Sequence, residues 1–267
     1  MANTIAGSKN IAASGKVLRV RTATLADISA IAALSKRVYT GTGIDPYSRA
    51  ELRGQLNNFP EGKFAVTLDE EIVGYCATFR VSGDVCLRPH SWAAITANGY
   101  GTRHDPEGEW LYGMEVCVDS SVRGYRIGQR LYNARKKLCE ELGLKGIVFV
   151  GRLPSLSRRI KKYGTAENYL DAVVNQKTRD PVLSFQLRNN FEVIDLMPNY
   201  LTDDKDSMGY GVHLVWHNPK VETAASVAHT KRHGGRQPDT VRVGTVQYMQ
   251  RRVTSFVKFM SFIEYFV

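Results

Sequence analysis

The sequence Glu115-Val-Cys-Val-Asp-Ser-Ser-Val-Arg-Gly-Tyr-Arg-Ile-Gly-Gln-Arg-Leu131 begins with the pattern of a strand and ends with the pattern of a helix. Up to Val118 every second residue is apolar, which is the periodicity of a strand. From Ile127 onward the apolar residues recur at helical spacing. The alternating set is Trp110, Tyr112, Met114, Val116 and Val118, and the helical set is Ile127, Leu131, Ala134, Leu138 and Leu142. The pattern predicts a strand, a short turn over residues 119–126, and a helix.

The turn between this strand and helix carries glycines and arginines. Gly124 and Gly128 permit a tight backbone, and Arg123 and Arg126 place positive charge beside it. A strand that leads through such a turn into a helix directs several free backbone N–H groups to one point, where the helix dipole adds roughly half a positive charge. This arrangement suits a phosphate or diphosphate ligand. A glycine-bearing turn is also a common structural corner, and that alternative stays open.

The order of residues in this stretch resembles that of a known protein family. The pattern Val-x-Val-x-x-x-x-Arg-Gly-x-x-x-Gly is similar to motif A of the GNAT family of N-acetyltransferases, in which Arg/Gln-x-x-Gly-x-Gly/Ala follows a strand. Arg123, Gly124, Ile127 and Gly128 stand where the motif requires them. Arg126 stands where the motif prefers glycine, which the fold tolerates if the backbone at 126 is ordinary.

The resemblance implies an α/β (α+β) fold of the GNAT type, with a central mixed, mostly antiparallel sheet flanked by helices, over residues 16–218. The predicted element order, β-α-α-β-β-β-α-β-α-β-β, agrees with that fold. Residues 1–15 are small and polar without a period, so we expect a disordered tail. Residues 219–238 are polar and contain Gly234-Gly235, which predicts a linker.

The C-terminal residues 239–267 resemble the start of another domain. A strand is predicted over 241–248 and an amphipathic helix over 255–267, similar to the first strand and helix of a carbon–nitrogen hydrolase (nitrilase-like) domain. The whole is similar to bacterial proteins in which an acetyltransferase domain precedes a nitrilase-like domain. The closer match is carried by Asp180-Pro-Val-Leu-Ser-Phe-Gln-Leu187 and Pro198-Asn-Tyr-Leu-Thr-Asp-Asp204.

The resemblance implies that this strand-helix fragment is an incomplete domain. A single strand and helix cannot bury the apolar face of the helix, so we expect residues 240–267 to self-associate or to dock a nitrilase-like partner. The catalytic residues of the hydrolase would lie beyond residue 267. No hydrolase activity is therefore expected of these residues alone.

Composition bounds the class of protein. The chain has 267 residues, is 43% hydrophobic and 23% charged, and contains no run of about 18 apolar residues that could cross a membrane. The first ten residues lack the pattern of a signal peptide and the four cysteines show no Cys-x-x-Cys spacing, so we expect reduced thiols and a cytoplasmic protein. The net charge of +10 suits a polyanionic cofactor, whereas the spread of the basic residues does not favour nucleic acid.

Two segments exceed the family's element plan. Residues 85–109 are rich in aromatic and histidine side chains, and we expect an ordered loop over the acceptor site. Residues 153–178 hold a predicted helix capped by Thr165, which could shape the same pocket. The aromatic and histidine residues of the first segment are His90, Trp92, Tyr100 and His104. The two histidines lack a second-shell pattern, so a metal site is not favoured.

For chemistry, the resemblance implies direct transfer of an acetyl group from acetyl-CoA to a primary amine on a small molecule or a peptide. The pyrophosphate would lie on the turn, and the pantetheine arm would run beside the strand like an added strand. The implied cofactor-binding residues are Val116, Cys117, Val118, Arg123, Gly124, Tyr125, Arg126, Ile127 and Gly128. Cys117 is expected to pack rather than to carry an acyl group, because no histidine lies near it in sequence.

Glu115 is the candidate catalytic base, because it would lie on the central strand beside the acyl site, where burial raises a carboxyl pKa. The alternative is an ordinary strand glutamate that pairs with a basic neighbour. Many members of the family use a tyrosine as the general acid, and Gln186 stands at that position here. Tyr163, Tyr169, Tyr200 or a water molecule could substitute for it.

A second hypothesis for function stays open beside acetyl transfer. The chain could be a non-catalytic acyl-CoA-binding or assembly module that docks a nitrilase-like partner. Gln186 in place of a tyrosine and Arg126 in place of a glycine favour this alternative. An amidohydrolase fragment is a third alternative, which the missing catalytic residues argue against.

Overall fold

The computed structural model describes residues 9–11, 16–122 and 124–221, and these form one mixed sheet with helices packed on it. The strands are β1 (Lys9–Ile11), β2 (Val17–Thr22), β3 (Lys63–Leu68), β4 (Glu71–Val81), β5 (Trp110–Val118), β6 (Gly146–Arg152), β7 (Glu192–Met197) and β8 (Gly211–His217). Their order in the sheet is β1-β2-β3-β4-β5-β6-β8-β7. Strands β5 and β6 run parallel, and each other neighbouring pair runs antiparallel. The expected mixed, mostly antiparallel sheet is confirmed.

Helices connect and cover these strands. The helices of the described residues are α1 (Ile28–Tyr39), α2 (Arg49–Asn58), α3 (Gly83–Cys86), α4 (Trp92–Thr96), α5 (Ile127–Glu141), α6 (Leu156–Tyr163), α7 (Ala166–Val174) and α8 (Leu183–Arg188). Local sequence explains several of their starts. Asp27 reaches back to the N–H of Thr24 at 2.7 Å ahead of α1, and Ser48 and Glu51 form a capping box on α2. Thr165 caps α7, as its position predicts.

The core lies between the central strands and helices α1 and α5. Ile31 and Leu34 of α1 and Ile127 and Leu131 of α5 are buried, and both helices contact β4 and β5. The helical spacing of these residues gives each helix one apolar face. A Cβ atom at Gly74 of β4 would approach the Ile127 side chain to 2.6 Å, so a glycine is needed there. The start of α5 is therefore held against β4.

The two parallel strands separate halfway along β5. Strand β5 pairs with β6 only over residues 110–113 and 146–149. On its other side β5 continues to pair with β4 as far as Val118, through a register shift that leaves Met114 without a direct partner. Beyond residue 113, the edge of β5 that faces β6 therefore pairs with no other strand of the described residues.

Arg135 of α5 lies where these strands separate. Its buried guanidinium donates from Nη2 to the carbonyl oxygen of Glu115 at 3.0 Å and stands 5.7 Å from the centre of the Phe149 ring. A Cβ atom at Gly113 would come within 2.6 Å of Nη1 of Arg135, so only glycine leaves room for the guanidinium. This side chain occupies the gap and helps to hold β5 and β6 apart.

The structure differs from the sequence-based prediction in three places. Residues 9–11 fall within the expected disordered tail, yet they form β1, which pairs with β2. The segment 85–109 was expected to be a loop and contains helix α4 and the end of α3. The segment 153–178 contains α6 in addition to the expected α7. The rest of the tail, most of the linker and residues 239–267 lie outside the described residues. In the part of the chain that is described, no helix combines the length and the apolar character needed to cross a bilayer.

Candidate active site

The turn after β5 is fixed by Asp119. Its carboxylate accepts hydrogen bonds from the backbone N–H and the hydroxyl of Ser121, at 3.0 and 2.6 Å, and from Nε of Arg37 at 3.0 Å. The hydrogen bonds from Ser121 and the guanidinium of Arg37 hold the pKa of Asp119 below its usual range. The chain then passes through Gly124, whose φ of +86° is favoured only for glycine, and enters α5. An ionised carboxylate therefore fixes how the chain leaves the strand.

Arg126 occupies the position before the first residue of α5. Its φ and ψ are +52° and +39°, in the left-handed region. The backbone at 126 is therefore not ordinary: the position keeps the conformation that suits the glycine of the family motif. The arginine therefore carries a conformational cost of about 1 kcal/mol.

The N-terminus of α5 lacks a side-chain cap. Helices α2, α4 and α7 each begin with a hydroxyl that accepts a hydrogen bond from the first turn, from Ser48, Ser91 and Thr165 respectively. Arg126 makes no such bond. The first N–H groups of a helix have no partner within the helix, so those of α5 are directed toward whatever binds at this end.

A cavity of about 440 Å³ lies at this end of α5. Its lining residues are Arg126, Gly128, Gln129, Phe185 and Arg188. Two exposed guanidinium groups and a helix N-terminus therefore surround one space, which suits a ligand with several negative charges. A Cβ atom at Gly128 would meet the Phe185 ring at 3.5 Å, an ordinary contact. Phe185 and Arg188 belong to α8, and no local pattern in the sequence links them to this turn.

The predicted cofactor-binding residues on β5 lie beside the open strand edge. Val116 and Val118 are half-buried, whereas Cys117 is buried. Burial raises the pKa of the Cys117 thiol well above its usual value, so it remains protonated, in keeping with the expected packing role. On the turn, the carbonyl oxygen of Tyr125 accepts from Nε of Arg130 at 3.1 Å. Arg123 lies outside the described residues.

Glu115 is half-buried, and its carboxylate is hydrogen-bonded to a tyrosine. The hydroxyl of Tyr39 donates to Oε1 at 2.5 Å. Burial raises the pKa of Glu115, while the hydroxyls of Tyr39 and Tyr47 and the charge of Arg152 act in the opposite direction. No ion pair of the described residues includes Glu115. Within the described residues, Glu115 therefore does not form the alternative ion pair with a basic residue.

Tyr47 faces the same carboxylate from the loop between α1 and α2. Its hydroxyl is buried and makes no hydrogen bond of standard geometry with the described residues, although it lies near enough to lower the pKa of Glu115. A buried hydroxyl without a partner costs about 1–3 kcal/mol. A ligand with a hydrogen-bonding group beside Glu115 would remove this cost.

The segment between β4 and β5 covers this region. The ring of Trp92 lies 6.2 Å from that of Tyr47, and its backbone N–H donates to the carbonyl oxygen of Tyr200 at 2.9 Å. The loop that contains Tyr200 is held by Asp204, which accepts two hydrogen bonds of 2.6 Å from Arg152. Two segments distant in sequence are therefore joined beside Tyr47, the residue that faces Glu115.

The structure separates the candidates for the general acid. Tyr169 donates to Asp180 at 3.0 Å, and Tyr163 interacts with Thr178, so both hydroxyls are engaged elsewhere. Tyr200 is buried, and the charge of Glu115 contributes to raising its pKa, after the larger effect of burial. Among these three tyrosines, Tyr200 alone is influenced by the carboxylate of Glu115.

Gln186, at the position of the family's tyrosine, packs against Gly151 of β6. A Cβ atom at Gly151 would come within 2.2 Å of Oε1 of Gln186, so the glycine makes room for the amide. This Oε1 is buried without a hydrogen-bond partner among the described residues. An amide can orient a ligand but cannot serve as a proton donor of matched pKa.

Comparison with known proteins places this geometry in a family. A model of the Acetyltransferase (GNAT) family matches residues 28–161, half of the chain. The chain is 31% identical over 172 residues to the uncharacterized N-acetyltransferase YkwB of Bacillus subtilis (strain 168). The aligned region covers 64% of this chain and 75% of YkwB. It is 36% identical over 241 residues to the probable hydrolase YhcX of the same organism. That aligned region covers 90% of this chain and 45% of YhcX. The chain thus spans less than half the length of that relative.

Solved structures share the fold. The GphF GNAT-like decarboxylase in complex with isobutyryl-CoA is 27% identical with a TM-score of 0.64, covering 75% of this chain and 99% of that one. The loading GNATL domain of CurA from Lyngbya majuscula has a TM-score of 0.63 at 19% identity, covering 75% and 98%. Together with the family model and the strand-turn-helix unit around residue 120, these likenesses show that the chain belongs to the GNAT acetyltransferase family.

Proposed function

We propose that this acyltransferase moves an acetyl group from its cosubstrate acetyl-CoA directly to a primary amine. The observation that carries the proposal is the continuity of one structural unit. The open edge of β5 begins beside Glu115 and leads, through the turn over residues 119–126, to the uncapped start of α5 and its arginine-lined cavity. One strand, turn and helix thus offer a base at one end and an anion site at the other.

The residues at the turn fit the diphosphate of coenzyme A. The first N–H groups of α5 and the guanidinium groups of Arg126 and Arg188 would hold the phosphates, and Gly128 leaves the approach free of a side chain. The open edge at residues 116–118 would hydrogen-bond the amide groups of the pantetheine arm, as an added strand does. Acetyl-CoA supplies an acetyl group already activated as a thioester.

Glu115 is the proposed base in this reaction. An acceptor amine enters as an ammonium ion and must lose protons to attack the thioester carbonyl. Burial raises the pKa of Glu115 toward the range in which a carboxylate accepts a proton near neutral pH. The unpartnered hydroxyl of Tyr47 would complete the contacts of the amine nitrogen.

Decarboxylation of an acyl-CoA is a second candidate, because the solved relative GphF is a GNAT-like decarboxylase. A malonyl-type substrate would place its carboxylate near that of Glu115, and like charges at such distances repel. The guanidinium of Arg152 is engaged by Asp204 and so is not free to balance that charge. These charges favour a cationic amine over a carboxylate.

Two experiments test the proposal. Calorimetric titration with acetyl-CoA and with free CoA measures the cofactor site, and absence of binding to both would refute it. Release of free thiol from acetyl-CoA is then followed with 1,4-diaminobutane, lysine, 2-phenylethylamine and a peptide with an N-terminal glycine. Malonyl-CoA replaces acetyl-CoA in a parallel reaction, where formation of acetyl-CoA would support the decarboxylase instead.

Glu115→Gln is the matched variant for these reactions, since it keeps the size of the side chain and removes the base. We expect kcat to fall by about 10²–10⁴-fold while the affinity for CoA stays unchanged. Binding of CoA without turnover in the wild-type protein would favour the non-catalytic module.

We also propose that residues 239–267 begin a nitrilase-like domain, in line with the length and name of YhcX.

A further inference from the structure

The proposed reaction needs two proton acceptors. An ammonium ion and acetyl-CoA give an amide, free CoA thiol and one proton, so two N–H bonds break at nitrogen and one S–H bond forms. Glu115 can hold the proton that returns to sulfur. The second proton must leave the site by another route, because Glu115 is half-buried and already holds the first proton.

A chain of hydrogen bonds starts at Tyr200, whose backbone carbonyl accepts from the N–H of Trp92, the residue whose ring lies 6.2 Å from that of Tyr47. The hydroxyls of Tyr200 and Tyr112 lie 3.0 Å apart, and the hydroxyl of Tyr112 lies 2.8 Å from Nε2 of His90. On the other side of the ring, Nδ1 of His90 lies 2.7 Å from the carbonyl oxygen of Arg88. Both tyrosines are buried, whereas His90 is partly exposed.

The geometry sets the direction of this chain. A carbonyl oxygen only accepts, so Nδ1 of His90 carries the hydrogen that faces Arg88. Burial lowers the pKa of His90, which keeps the ring neutral and leaves Nε2 as an acceptor. The hydroxyl of Tyr112 therefore donates to Nε2, and that of Tyr200 donates to Tyr112. The oxygen of Tyr200 keeps its lone pairs for a donor in the active site.

We propose that Tyr200, Tyr112 and His90 form a proton relay that takes the second proton from the acceptor nitrogen to the surface. The relay rests on the proposed acetyl transfer. As the N–H bond of the substrate breaks, an O–H bond forms at Tyr200, the proton of Tyr200 passes to Tyr112, and the proton of Tyr112 passes to Nε2 of His90. The products are the neutral amide nitrogen and an imidazolium ion, so charge and atoms balance.

The relay ends at a cavity that can receive the proton. This cavity has a volume of about 500 Å³ and is lined by Pro89, His90, Ser91, Asp195, Leu196, Met197, Pro198 and Asn199. The carboxylate of Asp195 on β7 shares the cavity with His90 and would favour a transient imidazolium. From β8, the ring of His213 stands 5.5 Å from that of His90, and burial lowers the pKa of His213 to about 4, so it adds no competing charge.

Removal of the Tyr112 hydroxyl tests the hydrogen-bond chain in the absence of an amine substrate. The ring signals of His90 are followed by NMR as a function of pH in the wild type and in Tyr112→Phe. The hydroxyl of Tyr112 donates to a lone pair that only the neutral ring has, so its loss should raise the pKa of His90. Tyr169→Phe is the matched control, because it removes another buried hydroxyl, bound to Asp180 instead. An unchanged His90 titration in Tyr112→Phe would overturn the chain.

Kinetics then test whether the chain moves protons. With the most reactive amine of the panel, Tyr200→Phe and Tyr112→Phe should lower kcat by at least about 10-fold and remove the solvent deuterium isotope effect, with the KM for acetyl-CoA unchanged. Tyr169→Phe should keep both the rate and the isotope effect. Relay variants that retained the wild-type kcat and isotope effect would refute the proposal. A wild-type protein that transferred no acetyl group would refute the proposed function itself, independently of the NMR result.

Discussion

Replacement of Gly128 by aspartate tests the proposed coenzyme A site with little risk to the fold. Gly128 is the second residue of α5 and lines the cavity beside Arg126 and Arg188. The space for a new Cβ atom is sufficient, since its nearest contact would be the Phe185 ring at 3.5 Å. An acidic residue in the first turn of a helix also stabilises the helix by about 0.3–1 kcal/mol. The new carboxylate would therefore act on the ligand rather than on folding.

The expected loss of affinity follows from Coulomb's law. A carboxylate about 6 Å from one negative charge of the diphosphate, at an effective dielectric constant of about 20, repels it by about 3 kcal/mol. That energy corresponds to a roughly 100-fold increase in Kd. Gly128→Ala is the matched control: it adds the same Cβ atom without charge and should leave Kd near the wild-type value, with a gain in stability of up to about 1 kcal/mol.

Calorimetric titration of the two variants with acetyl-CoA measures the difference. Repetition at low and high salt supplies a second check, because screening should reduce the gap between the aspartate and alanine variants. Equal affinities for Gly128→Asp and Gly128→Ala, in proteins of equal stability, would show that the diphosphate does not bind at this helix N-terminus. The assignment of Arg126 and Arg188 as residues that hold the phosphates would then be wrong as well.

Three further changes test the environment of single residues. Tyr39→Phe removes the hydrogen bond that opposes the effect of burial on Glu115, so the pKa of the base should rise and the acid limb of the kcat–pH profile should move to higher pH; an unmoved limb would contradict Glu115 as the base. Burial lowers the pKa of Lys63 to about 7, so between pH 7 and pH 10 the unfolded chain binds more protons than the folded chain, and this residue makes the unfolding free energy rise with pH. Lys63→Met should remove that rise, which is on the order of a few kcal/mol. Denaturant unfolding curves measured at pH 7 and at pH 10 give the difference. The difference between the two proteins isolates Lys63 from the buried thiols and phenols, which titrate with the opposite effect on stability. Arg126→Gly should raise the unfolding free energy by about 1 kcal/mol while weakening acetyl-CoA binding, and a variant that lost stability would show that the left-handed conformation carries no cost.

Local physics explains what could be predicted from the sequence. The alternation before Val118, the glycines of the turn and the helical spacing after Ile127 each act over a few residues, and the structure has β5, the turn and α5 where these patterns predict them. The same holds for the cap at Thr165. Where charge obscures the apolar period, prediction fails: Arg158, Arg159, Lys161 and Lys162 hide the short helix α6.

The conformation of Arg126 shows the limit of a motif. The sequence identifies the position at which the family prefers glycine, but the φ of an arginine there depends on how the turn is held between Asp119 and α5. Strand β1 shows the same limit, because three polar and apolar residues form a strand only where β2 offers a free edge. Neither outcome follows from residues within one turn of the position.

The partners of Glu115 are the clearest case in which the tertiary structure decides. Tyr39 stands 76 positions before it in the chain, and the loops that carry Tyr47 and Tyr200 meet near it only after folding. The sequence by itself determined the strand, the glycine-bearing turn and the family, since these depend on neighbours along the chain. Only the packed structure decided the direction in which the pKa of Glu115 shifts, the cavity shared by Arg126 and Arg188, and the chain from Tyr200 to His90. Desolvation and hydrogen bonding depend on which distant side chains the fold brings into contact.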